Sequence, residues 1–137
     1  MIATVTLASM LTLAGTASAD GPVNASSEGG SATATYTWAG PGSMNNIDLK
    51  VADTRCDTRG SYAKFVFIRR DHGTKETDAR WNRIGCNKTQ GYNDLSWSDG
   101  FDTDGFYLVS CTDSNSNDKE DDGDQCGSSA TIDNPLS

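Results

Sequence analysis

The stretch S-A-T-A-T-Y-T-W, residues 31–38, decides the fold. Ala32, Ala34, Tyr36 and Trp38 fall on one face, and Ser31 with three threonines on the other. That is a period of two, the mark of a half-buried strand. The segment A-G-P-G-S-M-N-N that follows has turn chemistry. In I-D-L-K-V the period resumes, with Ile47, Leu49 and Val51 inward and Asp48 and Lys50 outward. Y-A-K-F-V-F-I-R-R is apolar on both faces: Phe65 and Phe67 on one, Val66 and Ile68 on the other. It reads as a central strand covered on both sides.

Asp71-His72-Gly73 turns the chain, and residues 79–84, A-R-W-N-R-I, form a weaker strand. Residues 92–97 and 105–111 are further strands, and a short last one falls around Ser129–Ile132. No window supports an amphipathic helix. Six to seven short strands joined by Gly, Asn and Asp turns predict an all-β fold, an antiparallel β-sandwich.

Residues 2–14 are uncharged and mostly apolar, and Ala17-Ser18-Ala19 follows as an A-x-A cleavage pattern. Residues 1–19 therefore read as a signal peptide, too short to span a membrane. No Lys or Arg precedes the run, which suggests a translation start upstream of Met1. Residues 20–30, rich in Gly and Ser, read as a flexible N-terminal arm. The β-sandwich domain is expected over residues 31–137.

Four cysteines in a short exported chain imply two disulfides. Of three connectivities the sequence favours neighbours, Cys56–Cys86 and Cys111–Cys126. A zinc site is disfavoured because no C-x-x-C or C-x-x-H pair occurs.

Charge is segregated along the chain. Residues 20–49 carry −3, residues 50–90 carry +5 and residues 91–137 carry −10. Such an acidic C-terminal third argues against nucleic acid or an anionic membrane as partner.

Between Cys111 and Cys126 lie six carboxylates and one lysine. Asp113, Asn115 and Asn117 begin like an EF-hand loop, with Asp121 and Asp124 as further oxygen donors. The sixth position is Asp118 rather than Gly, and the eighth is Glu120 rather than apolar. The favoured reading is therefore a solvated loop that presents charge, with calcium as the alternative and no other cofactor expected. Asp102 with Asp104, and His72 with Asp71, are weighed as catalytic pairs and set aside for their spacing. The chain reads as no enzyme. Trp81 between Arg80 and Arg83 is a candidate exposed anchor in a protein interface.

V-A-D-T-R-C-D-T-R-G-S-Y-A-K-F, then G-C-N-K-T, L-S-W and the last two cysteines, resembles a group of small secreted actinobacterial proteins. The resemblance covers roughly residues 45–127 and implies a two-disulfide β-sandwich. In size, export signal and sandwich type the chain is similar to the small adaptor subunit of umbrella toxin particles. That similarity implies an adaptor that binds another secreted protein. It also resembles the small α-amylase inhibitors of streptomycetes, whose Trp-Arg-Tyr tripeptide is replaced here by Ala79-Arg80-Trp81-Asn82-Arg83. The expected function is a secreted, non-enzymatic protein-binding module. The alternatives are a carbohydrate-binding module with calcium support and a secreted enzyme inhibitor.

Overall fold

The computed structural model describes residues 18–137, with side chains from residue 21. Most of the expected signal peptide, residues 1–17, lies outside the described residues. Those described form ten strands and no helix: β1 (Ser18–Ser27), β2 (Gly30–Gly40), β3 (Ser43–Asp53), β4 (Ser61–Arg69) and β5 (Gly73–Glu76), then β6 (Arg80–Trp81), β7 (Lys88–Ser98), β8 (Thr103–Thr112), β9 (Gln125–Ser128) and β10 (Ile132–Asp133). The count exceeds the expected six to seven by β1, expected as an arm, and by β5 and β9, which are only four residues long. Pieces that short carry no periodicity of their own; pairing to a longer neighbour makes them strands.

Every pairing is antiparallel. The first sheet runs β1-β2-β3-β7; the second runs β10-β8-β4-β5, with β6 also on β4 and β9 on β8. Ala32, Ala34, Tyr36 and Trp38 from β2 are buried, as are Ile47, Leu49 and Val51 from β3. They meet Phe65 and Phe67 of β4 and Phe106 and Leu108 of β8 in the main core. Phe106 sits at its centre, with ring centroids 4.9 Å from Tyr36, 5.8 Å from Trp38, 5.8 Å from Phe65 and 5.9 Å from Phe67. As expected for a central strand, β4 is covered on both faces. Its other face joins Tyr62 and Val66 to Trp81, Val109 and Cys111 in a second, smaller cluster.

Residues 20–27 are not a free arm. They belong to β1, in register with β2 through Val23↔Ala34 and Ala25↔Ala32. Val23 and Ala25 are buried, so the period-two signal was present but diluted by glycine and serine. The sandwich thus includes residues 18–30 as well as 31–137.

The far side of β1 is closed as well. Ser27 Oγ lies 3.3 Å from Ser110 Oγ and 3.1 Å from Thr112 Oγ1, and Thr112 Oγ1 donates to the Glu28 carbonyl at 2.7 Å. Gly127 of β9 packs so near this strand that a Cβ there would stand 1.8 Å from the Ser26 carbonyl oxygen. One side of the sandwich is therefore sealed by backbone contact. The other side is tied at its β6 end, where the Tyr92 hydroxyl donates to the Trp81 carbonyl, Asn82 Nδ2 to the Lys88 carbonyl and the Arg83 amide to Gln90 Oε1. It is open between β7 and β5.

Both disulfides form, Cys56–Cys86 and Cys111–Cys126, and no described cysteine is free. The second staples paired residues of β8 and β9 and closes the acidic loop into a ring. No described helix is long and apolar enough to cross a membrane.

Candidate functional site

The acidic loop leaves the end of β8 and returns in β9. Asp113, its first residue, is fully buried. One carboxylate oxygen accepts from the Asn115 amide at 3.2 Å and the other from the Asp118 amide at 2.8 Å. Asn115 Oδ1 accepts from the Asn117 amide at 3.3 Å, and Asn117 Oδ1 from the Lys119 amide at 3.0 Å. Each side chain thereby caps the backbone two residues on, as Asx turns do. Asn115 Nδ2 and Asn117 Nδ2 both donate to Asp121 Oδ2, at 3.0 and 2.7 Å.

Asp118 has φ 56°. The sixth position of a calcium loop needs a left-handed residue, and Asp reaches that region more readily than most non-glycine residues. The absence of glycine therefore does not block this turn. Asp113, Asp121 and Asp124 bring carboxylate oxygens within 4.8 Å of one another. All five residues named from the sequence as oxygen donors meet in this one loop.

Asp124 anchors the loop to the sandwich. It accepts from the Ser114 amide at 2.9 Å, the Ser114 hydroxyl at 3.1 Å, the Asp121 amide at 3.0 Å and the Tyr62 hydroxyl at 2.8 Å. Burial alone would raise its pKa, but these donors together hold it below the ordinary carboxylate value. Tyr62 moves the other way. Burial, then its bond to Asp124 and the negative charge around it, push the phenol well above the usual tyrosine range. Lys64 is bonded to Glu120 and lies 3.2 Å from Glu76. Burial would lower its pKa, yet these two carboxylates hold it raised.

The pH consequences carry opposite signs. Asp124, with its depressed pKa, contributes stability that is present above about pH 4 and lost as pH falls through its folded value. Tyr62, with its raised pKa, contributes stability that is full below about pH 10 and lost as pH rises further. Tyr62→Phe removes a hydrogen bond to a charged group and is expected to cost about 1–3 kcal/mol. Melting curves from neutral to strongly alkaline pH check this. The wild type should lose stability above about pH 10, and the variant should start lower and decline less over that range.

Trp81 is not the exposed anchor expected from its flanking arginines. It is 9 % exposed and packs on Tyr62, with ring centroids 4.5 Å apart and the planes tilted by 38°. Paired residues of neighbouring strands share a face. Trp81 lies opposite Tyr62 on the outer face, and Arg80 opposite Ala63 on the inner one. The three residues 80, 81 and 83 are thus divided. Arg83 covers Trp81 at 5.2 Å outside, whereas Arg80 lies 5.6 Å over Tyr92 at the mouth between the sheets.

Asp102 and Asp104 both face Arg70, at 3.7 and 3.0 Å, in ion pairs rather than a cleft. His72 packs on Phe101 at 3.9 Å. Sequence reasoning missed the β7 side of the sandwich. The strand itself was legible there, but its place at a sheet edge was not.

The fold and loop define a two-disulfide antiparallel β-sandwich with an Asp/Asn loop docked on its outer face. The chain matches no protein-family model, no curated protein and no solved structure.

Proposed function

We propose that the protein is an exported, non-enzymatic domain that works by binding another protein. Two disulfides suit an oxidising compartment. The observation that carries the reading is the β7 edge. Eleven residues long, β7 pairs only with β3 among the described residues. Apart from the Lys88 carbonyl, which accepts from Asn82 Nδ2, its second row of backbone donors and acceptors is offered outward, where a partner's strand can pair with it. The sealed β1 side is unsuited to this role.

The test uses the immobilised protein in concentrated growth medium of its source organism, at low and physiological salt. One partner should be retained by the wild type and lost from Ser96→Glu, a change on the exposed side of β7. No retained protein at either salt would end the reading.

The acidic loop favours a second, compatible role, calcium support of the fold. Counted from Asp113, the side chains of Asp113, Asn115, Asn117, Asp121 and Asp124 stand at positions 1, 3, 5, 9 and 12. Those are the side-chain ligand positions of a twelve-residue calcium loop, with the Lys119 carbonyl at position 7. The donors are all oxygen, which suits a hard cation. The support is for calcium rather than for sugar: Trp38 and Trp81 are buried, and Trp97 lies flat on Phe67 at 3.7 Å and 7°.

Saturating calcium is expected to raise stability by about 2.7 kcal/mol at a hundredfold excess over Kd. Because Tyr62 joins Asp124 to Trp81, tryptophan emission should change in step. Asp121→Ala should abolish both responses. Identical melting curves in calcium and in chelator would remove this role and leave the protein-binding reading intact.

A further inference from the structure

We infer that the mouth between β7 and the β5–β6 segment takes an extended, acidic segment of a partner protein as an added strand beside β7. The inference rests on the protein-binding reading and is independent of calcium.

Two rows of side chains frame the mouth, and strand register identifies both. On the second sheet, Lys75 lies opposite Phe67 and Arg80 opposite Ala63, and the Thr77 amide bonds the Phe65 carbonyl at 2.9 Å. Phe67, Phe65 and Ala63 belong to the main core. Their partners at the edge, Lys75 and Arg80, therefore stand on the inner face of the sheet. On the first sheet, Lys88, Tyr92, Leu95 and Trp97 lie opposite Asp53, Leu49, Ile47 and Met44, again on the inner face.

Between the rows is a small apolar recess, floored by Ile47, Phe65, Phe67, Leu95 and Trp97 and rimmed by Arg80. Its room, about 50 Å3, suits one aliphatic side chain.

The charge on this rim selects the occupant. Lys75, Arg80 and Lys88 form no ion pair among the described residues. Glu76 lies opposite Val66, on the other face, where it pairs with Lys64. The Asp94 amide is turned to the Asp48 carboxylate. Asp78 is the second acid between Lys75 and Arg80, and Asp53, opposite Lys88, is buried. An inward-facing charged row on an edge is one way proteins guard against indiscriminate pairing. Three cations repel a basic strand, would be buried unpaired under a purely apolar one, and accept one bearing carboxylates.

The fitting segment is extended. One aliphatic residue enters the recess, and carboxylates two and four positions away, on the same face, meet Arg80 and the two lysines. Outward backbone groups of β7 supply the affinity and the rim supplies the selection.

The probes are three synthetic peptides. The first carries glutamates at alternate positions around a central leucine, with threonine between them. The second replaces glutamate by lysine, and the third replaces two of the threonines by proline to block strand pairing. Calorimetry and tryptophan emission measure binding to the wild type, Arg80→Glu and Lys75→Glu, with folding of each variant checked by melting.

The acidic peptide should bind at least about tenfold more tightly than either control, and weaken with salt. Arg80→Glu and Lys75→Glu should each reduce its affinity about tenfold and improve that of the lysine peptide. Equal binding of all three peptides, no binding of the acidic one, or a β7-dependent dimer of the protein in sedimentation would overturn the inference. If the partner retained from growth medium is unaffected by Arg80→Glu and Ser96→Glu, this surface is wrong while the protein-binding reading stands. If no partner is retained at all, that reading fails first.

Discussion

Phe106→Ala is expected to destabilise the fold by about 3–5 kcal/mol, the range for deleting a fully buried aromatic ring. Phe106 touches both sheets, with Tyr36 and Trp38 on one side and Phe65 and Phe67 on the other. These neighbours belong to four-stranded and six-stranded sheets held by their own hydrogen-bond ladders. They are poorly placed to collapse into the void, so the cavity cost adds to the lost transfer energy. A domain of this size is stable by only about 5–15 kcal/mol, so the change consumes a large share. Urea unfolding monitored by far-UV circular dichroism measures it. A loss under about 1 kcal/mol would mean that Phe106 does not bridge the sheets.

Replacing both Cys111 and Cys126 by alanine should cost about 3 kcal/mol, the chain-entropy value for a ring of about fifteen residues. The bond does more than shorten the unfolded chain. It fixes β9 beside β8, and β9 in turn lies against Ser26 of β1. It also holds six carboxylates near one another, with Asp124 on Tyr62 and Glu120 on Lys64. The double variant should therefore lose stability more steeply at low salt than at high salt, where repulsion among the acids is screened. Alanine at Cys56 and Cys86 should show the larger entropic loss, about 3–4 kcal/mol, without that salt dependence. Thermal melts of the two double variants across a salt series separate the effects. Equal salt dependence in both would detach the loop's charge from the role of its disulfide.

The parts of the fold legible in the sequence were those with long apolar alternation. Residues 31–38, 47–51 and 65–68 lie in strands with the faces assigned to them, and both disulfides join the favoured neighbours. β1 was hidden because glycine and serine gave it the composition of a linker, while Val23 and Ala25 alone kept the period. Of the shortest strands, β6 lies within the expected strand over 79–84 and β10 overlaps the expected last one, whereas β5 and β9 had no signal, because their conformation is set by a neighbour's ladder.

The acidic loop was half legible. Donor spacing can be counted along the chain, but the left-handed backbone at Asp118 cannot. Nor can the placement of Trp81. Strand alternation turns it away from Arg80, and only the partner strand decides which face is buried. The open edge was the least visible feature, since strand order in two sheets is not written in local pattern.

The most direct test of the protein-binding account is amide hydrogen exchange on the intact protein, free and bound to the partner retained from growth medium. Protection should rise across residues 88–98 and leave the acidic loop and β1 unchanged. If protection instead rises in residues 111–126 or in β1, with β7 still exchanging as freely as before, the β7 edge is not where this protein binds.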